Sequence, residues 1–446
     1  MKKISFNEKL SYGAGDGATA FAAVTVGSFA MYYFTDVIGL SATLLGTVLF
    51  FTRLFDAITN VLMGYIVDIT KTKHGKARPW ILWSAIPLAI SIILLFSASK
   101  GWSETFSIIY AVTAYQLFFL IYTASNIPYG TLGALITQDP KERSMLNVFR
   151  MISFFIMMLL ILNITVPLVE FFGGDPRAWQ IVAIIYSVIM VLIFLYTFYF
   201  TKERVTAAQK QERISLLKSF NLLLNNKYWI LVFLIMLMTW TLLGTMTGIN
   251  VYYADHILKD AALVGVLSMY FLLPLLIGFF SMPYLLNRFK RRNIIIAGLV
   301  LLILGSSLIL IKTDSLLIVY SGSILRGIGF APIMGSAYAM LADTIDYGEW
   351  KQGIRIEGIV YSGGTFSTTL AGGLSAGIAG WVLGFGGYIS GVAAGEQPQT
   401  VKTAIETIFI HIPIVLAVIT IGLMVIYKLD KEYPKILKDL KLLAEK

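Results

Sequence analysis

The sequence contains no cysteine and only three histidines in 446 residues, and just 13% of its residues are charged. Without cysteine there is no disulfide framework, no thiolate metal site and no cysteine nucleophile. His74, His256 and His411 lie far apart; no HExxH zinc helix, Walker phosphate loop or GxSxG elbow occurs. These absences argue against catalysis and against ATP coupling within this chain. The scarcity of charge excludes an ordinary soluble domain, in which about 25% of residues are charged.

What the chain has instead is apolar length. Hydrophobic residues make up 57% and the mean hydropathy is +0.78. Runs of the roughly 17 to 25 apolar residues that a membrane-crossing helix needs recur between short polar breaks. Twelve spans are predicted, at 12–37, 43–67, 79–99, 105–136, 147–172, 178–201, 227–254, 261–286, 293–312, 316–342, 357–387 and 403–428. The fold class is therefore an all-α polytopic membrane protein. The N-terminus has no separate short apolar region with a small-residue cleavage site, so the first run is read as a retained span.

The net charge of +10 is explained by its distribution. With both termini cytoplasmic, the clusters around Lys73, Lys76, Arg204, Lys210, Arg213 and Arg288 to Arg292 all fall on the inner face, leaving Lys100, Arg177, Lys259, Lys312 and Lys402 outside. This is the positive-inside pattern of a multi-pass protein of the cell membrane. The bilayer is the expected partner and nucleic acid is not. The longest cytoplasmic polar segment, 202–226, separates a six-span half, 1–201, from a second, 227–428, with a tail at 429–446. Six plus six suits parallel repeats.

Charge within the spans carries the functional signal, because an ionisable residue at a helix centre costs about 2.5 to 3.5 kcal/mol on insertion scales. Arg53, Asp56 and Asn60 recur at i, i+3 and i+7 with Thr59 alongside, on one helical stripe. Asp16 sits among Gly13, Gly15 and Gly17 and reads equally as an interfacial cap or a pathway acid. Thr123 and Asn126 share a face beside Pro128, where a kink next to a cavity is expected. Arg150 lies at the inner end of the fifth span, set either to close a charge network with Asp139 and Glu142 near Arg143 or to face the pathway. Arg326 interrupts the tenth span. Asp343, Asp346, Glu349, Arg355 and Glu357 follow with alternating sign, which reads as gate salt bridges before it reads as paired catalytic acids. His411, alone in the last span, reads as a packing residue.

The segments LSYGAGD, MYYFTDVIGLS, RLFDAITNVLMGYIVD, HGKARPWIL, NIPYGTLGALITQDPKERS, ADTIDYGEWKQGIRIEG and VLGFGGY resemble the glycoside-pentoside-hexuronide:cation symporter family. The resemblance covers both halves. It implies the major facilitator fold, twelve helices in two six-helix bundles, and import of a glycoside, pentoside or oligosaccharide with a proton or a sodium ion as coupling ion and no other cofactor. It implies a cation site at Asp56, Thr59, Asn60 and Thr123. The chain departs from the family at Asn60, where many members carry a second aspartate. It departs again at Ala20 and Thr369, where melibiose permease has an acid and a lysine near the sugar. The substrate side is expected from Thr19, Tyr32, Thr123, Asn126, Tyr129, Arg150 and Thr365. A functional monomer is expected. The alternatives are an uncoupled uniporter or a carrier of a non-sugar amphiphile with the same fold and, more remotely, a polytopic membrane enzyme.

Overall fold

The computed structural model describes residues 4–137, 140–204, 221–353 and 357–444, and the described chain is helical throughout with no strand. Helix α1 runs Phe6–Thr25 and continues through wider π-helical turns, Val26–Ala30 and Tyr33–Ile38, until Gly39 at φ +96° ends it. α2 follows at Ala42–Ile69, α3 at Arg78–Leu95, α4 at Glu104–Ile136, α5 at Pro140–Phe171 and α6 at Pro176–Phe200. α7 spans Lys227–Gly248, with the short α8, Asn250–His256, directly after it. Then come α9 Leu263–Arg288, α10 Arg291–Ile309, α11 Leu316–Gln352 and α12 Glu357–Phe385. α13 Gln399–Glu406, α14 Ile412–Ile426 and α15 Leu429–Ala444 complete the chain.

Eleven helical stretches among the described residues are long and apolar enough to cross a membrane. The first helical run, made more polar by Glu8, Lys9 and Asp16, is the twelfth. α5 and α11 extend several residues beyond their predicted spans, because the helical hydrogen-bond ladder is internal to the chain and does not stop where the hydrocarbon does. The tail expected at 429–446 is the helix α15, and it packs on α11: Trp350 donates to Asp439 at 3.0 Å and Tyr433 to Asp346 at 2.6 Å.

Local chemistry explains the starts. Ser5, Ser103, Asp175 and Asn226 each accept a backbone N–H at the beginning of α1, α4, α6 and α7, satisfying donors that an isolated helix leaves unpaired. The start of α3 is capped from a distance. The Glu203 carboxylate accepts the backbone N–H groups of Lys76, Ala77 and Arg78 at 2.8 to 2.9 Å. Next to it, Arg204 binds Glu8 through both nitrogens at 2.7 and 2.8 Å, and this bond holds the guanidinium even further above its ordinary pKa.

The chain divides into two compact units. One comprises 1–209 with 250–266 and 379–402, and the other 210–249 with 267–378 and 403–446. In the first, α1 packs on α5 and α6, α3 on α4 and α6, and α2 on α4; in the second, α10 lies on α11 and α14, while α7 contacts α11 and α14. Lipid tails are as apolar as the side chains, so contact in a membrane depends on close packing rather than on the hydrophobic effect. α10 and α11 reach that closeness with glycine: a Cβ on Gly329 would stand 2.4 Å from the Gly298 carbonyl oxygen and 2.7 Å from the Leu302 nitrogen. Gly329→Val should therefore separate the two helices. Overpacking of this kind costs about 1 to 3 kcal/mol, which should appear as a clear fall in the melting temperature of the purified protein. An unchanged melting temperature would mean that the helices have room to spare.

Candidate functional site

The stripe on α2 is a site. Asp56 is 4% exposed, and its Oδ1 accepts from the Thr123 hydroxyl of α4 at 2.5 Å and, more weakly, from the Thr59 hydroxyl at 3.4 Å. The Thr123 hydroxyl lies 3.0 Å from Asn60 Oδ1 as well. It carries one proton, so Asp56 and Asn60 compete for a single donor. The cluster thus gathers a carboxylate, two hydroxyls and an amide oxygen, a donor set that suits a hard cation, while the carboxylate itself can take a proton. Arg53 forms an ion pair with it: its Nη1 stands 3.6 Å from Asp56 Oδ2, and its guanidinium rests over the Phe119 ring at 3.8 Å.

A second constellation lies along α1, α4 and α5. Arg150 pairs with Asp16 at 3.2 Å, its guanidinium 4.9 Å from the Tyr129 ring centre and 5.9 Å from that of Tyr12. Tyr12 and Tyr129 stack at 5.2 Å, and the Tyr129 hydroxyl donates to the Tyr12 carbonyl at 2.5 Å. Thr19 donates to the Asp16 carbonyl at 2.8 Å and approaches its carboxylate at 3.3 Å. Asn126 donates to the Tyr122 hydroxyl at 3.1 Å. The glycines around Asp16 permit this closeness: a Cβ on Gly15 would lie 2.4 Å from the Tyr129 ring and one on Gly13 2.8 Å from the Phe149 carbonyl oxygen. The result is a partly buried cation flanked by aromatic faces and polar side chains, a combination able to hold a polyhydroxylated ligand by hydrogen bonds and ring contact.

The other expected residues are placed as follows. Ala20 is fully buried in α1. Tyr32 donates to Asp255 at 3.0 Å, away from the Asp16 and Arg150 pair in sequence and at the far end of the first span. Thr365 and Thr369 belong to the second unit, where the Thr369 hydroxyl donates to the Thr365 carbonyl at 3.1 Å. Arg326, 1% exposed, donates to Ser306 at 2.9 Å and to the Phe409 carbonyl. Asp343 and Asp430 both pair with Arg291, and the backbone carbonyl of Glu349 closes the last turn of α11 by accepting from the Gly353 N–H at 2.8 Å. Asp139 and Arg355 lie outside the described residues, as do the side chains of Arg143 and Glu357. Glu142, expected beside Arg150, instead pairs with Lys9 at 2.7 Å. Tyr12, Tyr122, Phe119 and Glu203 were not singled out in the sequence; a tyrosine or phenylalanine among so many in apolar spans carries no local signal.

Buried charge within helices long and apolar enough to cross a membrane marks a pathway through the bilayer. Similarity to known proteins agrees. The family model described as "MFS/sugar transport protein" matches residues 11–431, and the chain belongs to that family. It is 32% identical over 443 residues to the isoprimeverose transporter of Lactiplantibacillus pentosus, covering 98% of this chain and 91% of that protein. It is also 32% identical to the putative glycoside/cation symporter YagG of Escherichia coli K12, covering 96% and 93%. The fold matches a bacterial homologue of the human lysosomal transporter Spinster with a TM-score of 0.68 at 13% identity, over 96% of this chain and 97% of that one. The resemblance to glycoside-pentoside-hexuronide:cation symporters therefore holds, and the protein is a membrane-embedded transporter, not an enzyme.

Proposed function

We propose that this protein imports a glycoside, pentoside or small oligosaccharide by symport, with the coupling cation held at Asp56 and the sugar beside Asp16, Arg150 and Tyr129. The observation that carries the reading is the Asp56 cluster, where one buried carboxylate is gathered with two hydroxyls and an amide oxygen. Asp56 supplies the charge that follows the ion, and the Thr59 and Thr123 hydroxyls and Asn60 Oδ1 supply neutral oxygens. With a single carboxylate in place of the family's pair, a proton on Asp56 is favoured over a sodium ion. Thr123 lies three residues before Asn126 on α4, so the state of Asp56 reaches the sugar side through one helix. The two six-span halves, 1–201 and 227–428, would alternate access to a midplane site, with both termini cytoplasmic and the monomer as the working unit.

The test is uptake of labelled glycosides, isoprimeverose among them, into proteoliposomes under an imposed proton gradient, a sodium gradient or none. Accumulation driven by the proton gradient is expected. Uptake indifferent to both gradients would replace symport with uniport, and a lack of glycoside uptake under every condition would overturn the substrate class.

A further inference from the structure

We infer that the protein carries a binding site for a divalent transition-metal ion of the Zn2+ type, formed by Asp36, Asp255 and His256 and separate from the transport site. One donor atom from each of the three lies within 4.8 Å of the other two. Asp36 and His256 close the first and seventh spans, and Tyr388 follows the eleventh, so odd-numbered spans bring all of them to one membrane face. All belong to the same compact unit. Three features argue for an ion there rather than for a structural tie alone.

First, among the described residues no lysine or arginine pairs with either Asp36 or Asp255, so two carboxylates meet with only a buried imidazole between them. Second, His256 is 3% exposed and its Nδ1 has no hydrogen-bond partner; that nitrogen faces Asp255 Oδ2 at 3.6 Å. A buried ring nitrogen left without a partner costs free energy, and a metal removes the cost. Third, the carboxylates are already oriented. Thr35 donates to Asp36 Oδ2 at 2.6 Å, Tyr388 donates to Asp36 Oδ1, and Tyr32 donates to Asp255 Oδ2 at 3.0 Å, an arrangement of outer hydrogen bonds typical of metal ligands. One imidazole and two carboxylates suit Zn2+ or a similar ion over Ca2+ and Mg2+, which prefer oxygen throughout. The Asp255 side chain, 27% exposed, leaves an entry route.

The experiment is equilibrium dialysis of the purified, chelator-treated full chain in detergent against Zn2+, with Ca2+ and Mg2+ in parallel. One Zn2+ per chain is expected, with little Ca2+ or Mg2+ bound. His256→Ala and Asp36→Asn, checked for monodispersity, should bind Zn2+ at least about 100-fold more weakly and Tyr388→Phe about 10-fold more weakly, while His74→Ala and His411→Ala should bind as the parent does. Should the first two variants fail to fold, Co2+ added to the parent protein gives a second reading: the visible absorption of a low-coordinate nitrogen and oxygen site is expected. No saturable Zn2+ binding by the parent, undiminished binding in His256→Ala, or a Co2+ spectrum of the hydrated ion alone would overturn the proposal.

Discussion

Asp56→Asn should abolish accumulation of sugar against its gradient while leaving downhill exchange in place. The substitution keeps the shape of the side chain and an oxygen for the Thr123 hydroxyl, 2.5 Å away in the parent, and removes only the negative charge that a proton or sodium ion neutralises. Each elementary charge moved with the sugar is worth about 2.3 kcal/mol per 100 mV, a roughly 50-fold accumulation, and all of that should go. Exchange needs no net ion movement and should persist. Accumulation unchanged in this variant would remove Asp56 from coupling altogether. The complementary change, Asn60→Asp, places a second carboxylate on the Thr123 hydroxyl, which sits 3.0 Å from Asn60 Oδ1. It should strengthen sodium dependence by about tenfold or more; an unaltered response to sodium would place Asn60 outside the ion site.

Arg150→Ala is expected to have the next largest effect, a loss of transport of about 100-fold. Truncating one member of a partly desolvated charge pair costs about 2 to 5 kcal/mol, much of it because Asp16 loses its cationic partner. Arg150→Lys should recover only part of the loss. Lysine restores the charge but not the planar guanidinium that lies 4.9 Å from the Tyr129 ring. A structural role and a sugar-binding role are separated by combining Arg150→Gln with Asp16→Asn. If the pair only holds α1 to α5, the double variant should transport nearly as the parent does, because both charges are gone together. If Arg150 binds sugar, the double variant should be well folded and inactive. Inactivity is expected, and recovery of transport would withdraw Arg150 from the substrate site.

The legibility of these two sites in the sequence differs for a physical reason. The α2 stripe was readable because Arg53, Asp56, Thr59 and Asn60 lie within two helical turns, where spacing alone sets the face. Thr123 was visible on one face of α4 with Asn126, but its place beside Asp56 came only through the family resemblance, because nothing within α2 points to it. Arg150 was visible as a charge at the edge of a span, but its expected neighbours were the acids close to it in sequence. Its observed partner is Asp16, 134 residues away. Glu203, which caps α3, lies 125 to 127 residues from the N–H groups it accepts, and a single glutamate in a polar linker looks like any other solvated charge. The glycine contact between α10 and α11 was missed as well. Tight packing of two helices needs only a few glycines at matching heights, and scattered glycines in an apolar span carry no local signal.

The sequence by itself determined that the chain crosses the membrane many times, roughly where it crosses, and which helix carries intramembrane charge. Those properties follow from hydropathy and from the 3.6-residue period, both of which act over a few turns of one helix. Only the tertiary structure decided which charge meets which partner: Asp56 with Thr123, Asp16 with Arg150, Arg291 with Asp343 and Asp430, and Asp36 with a tyrosine 352 residues further on. Such pairings depend on how deep each residue sits and how each helix is turned about its axis. Both are set by packing against other spans, and neither is written in any one of them.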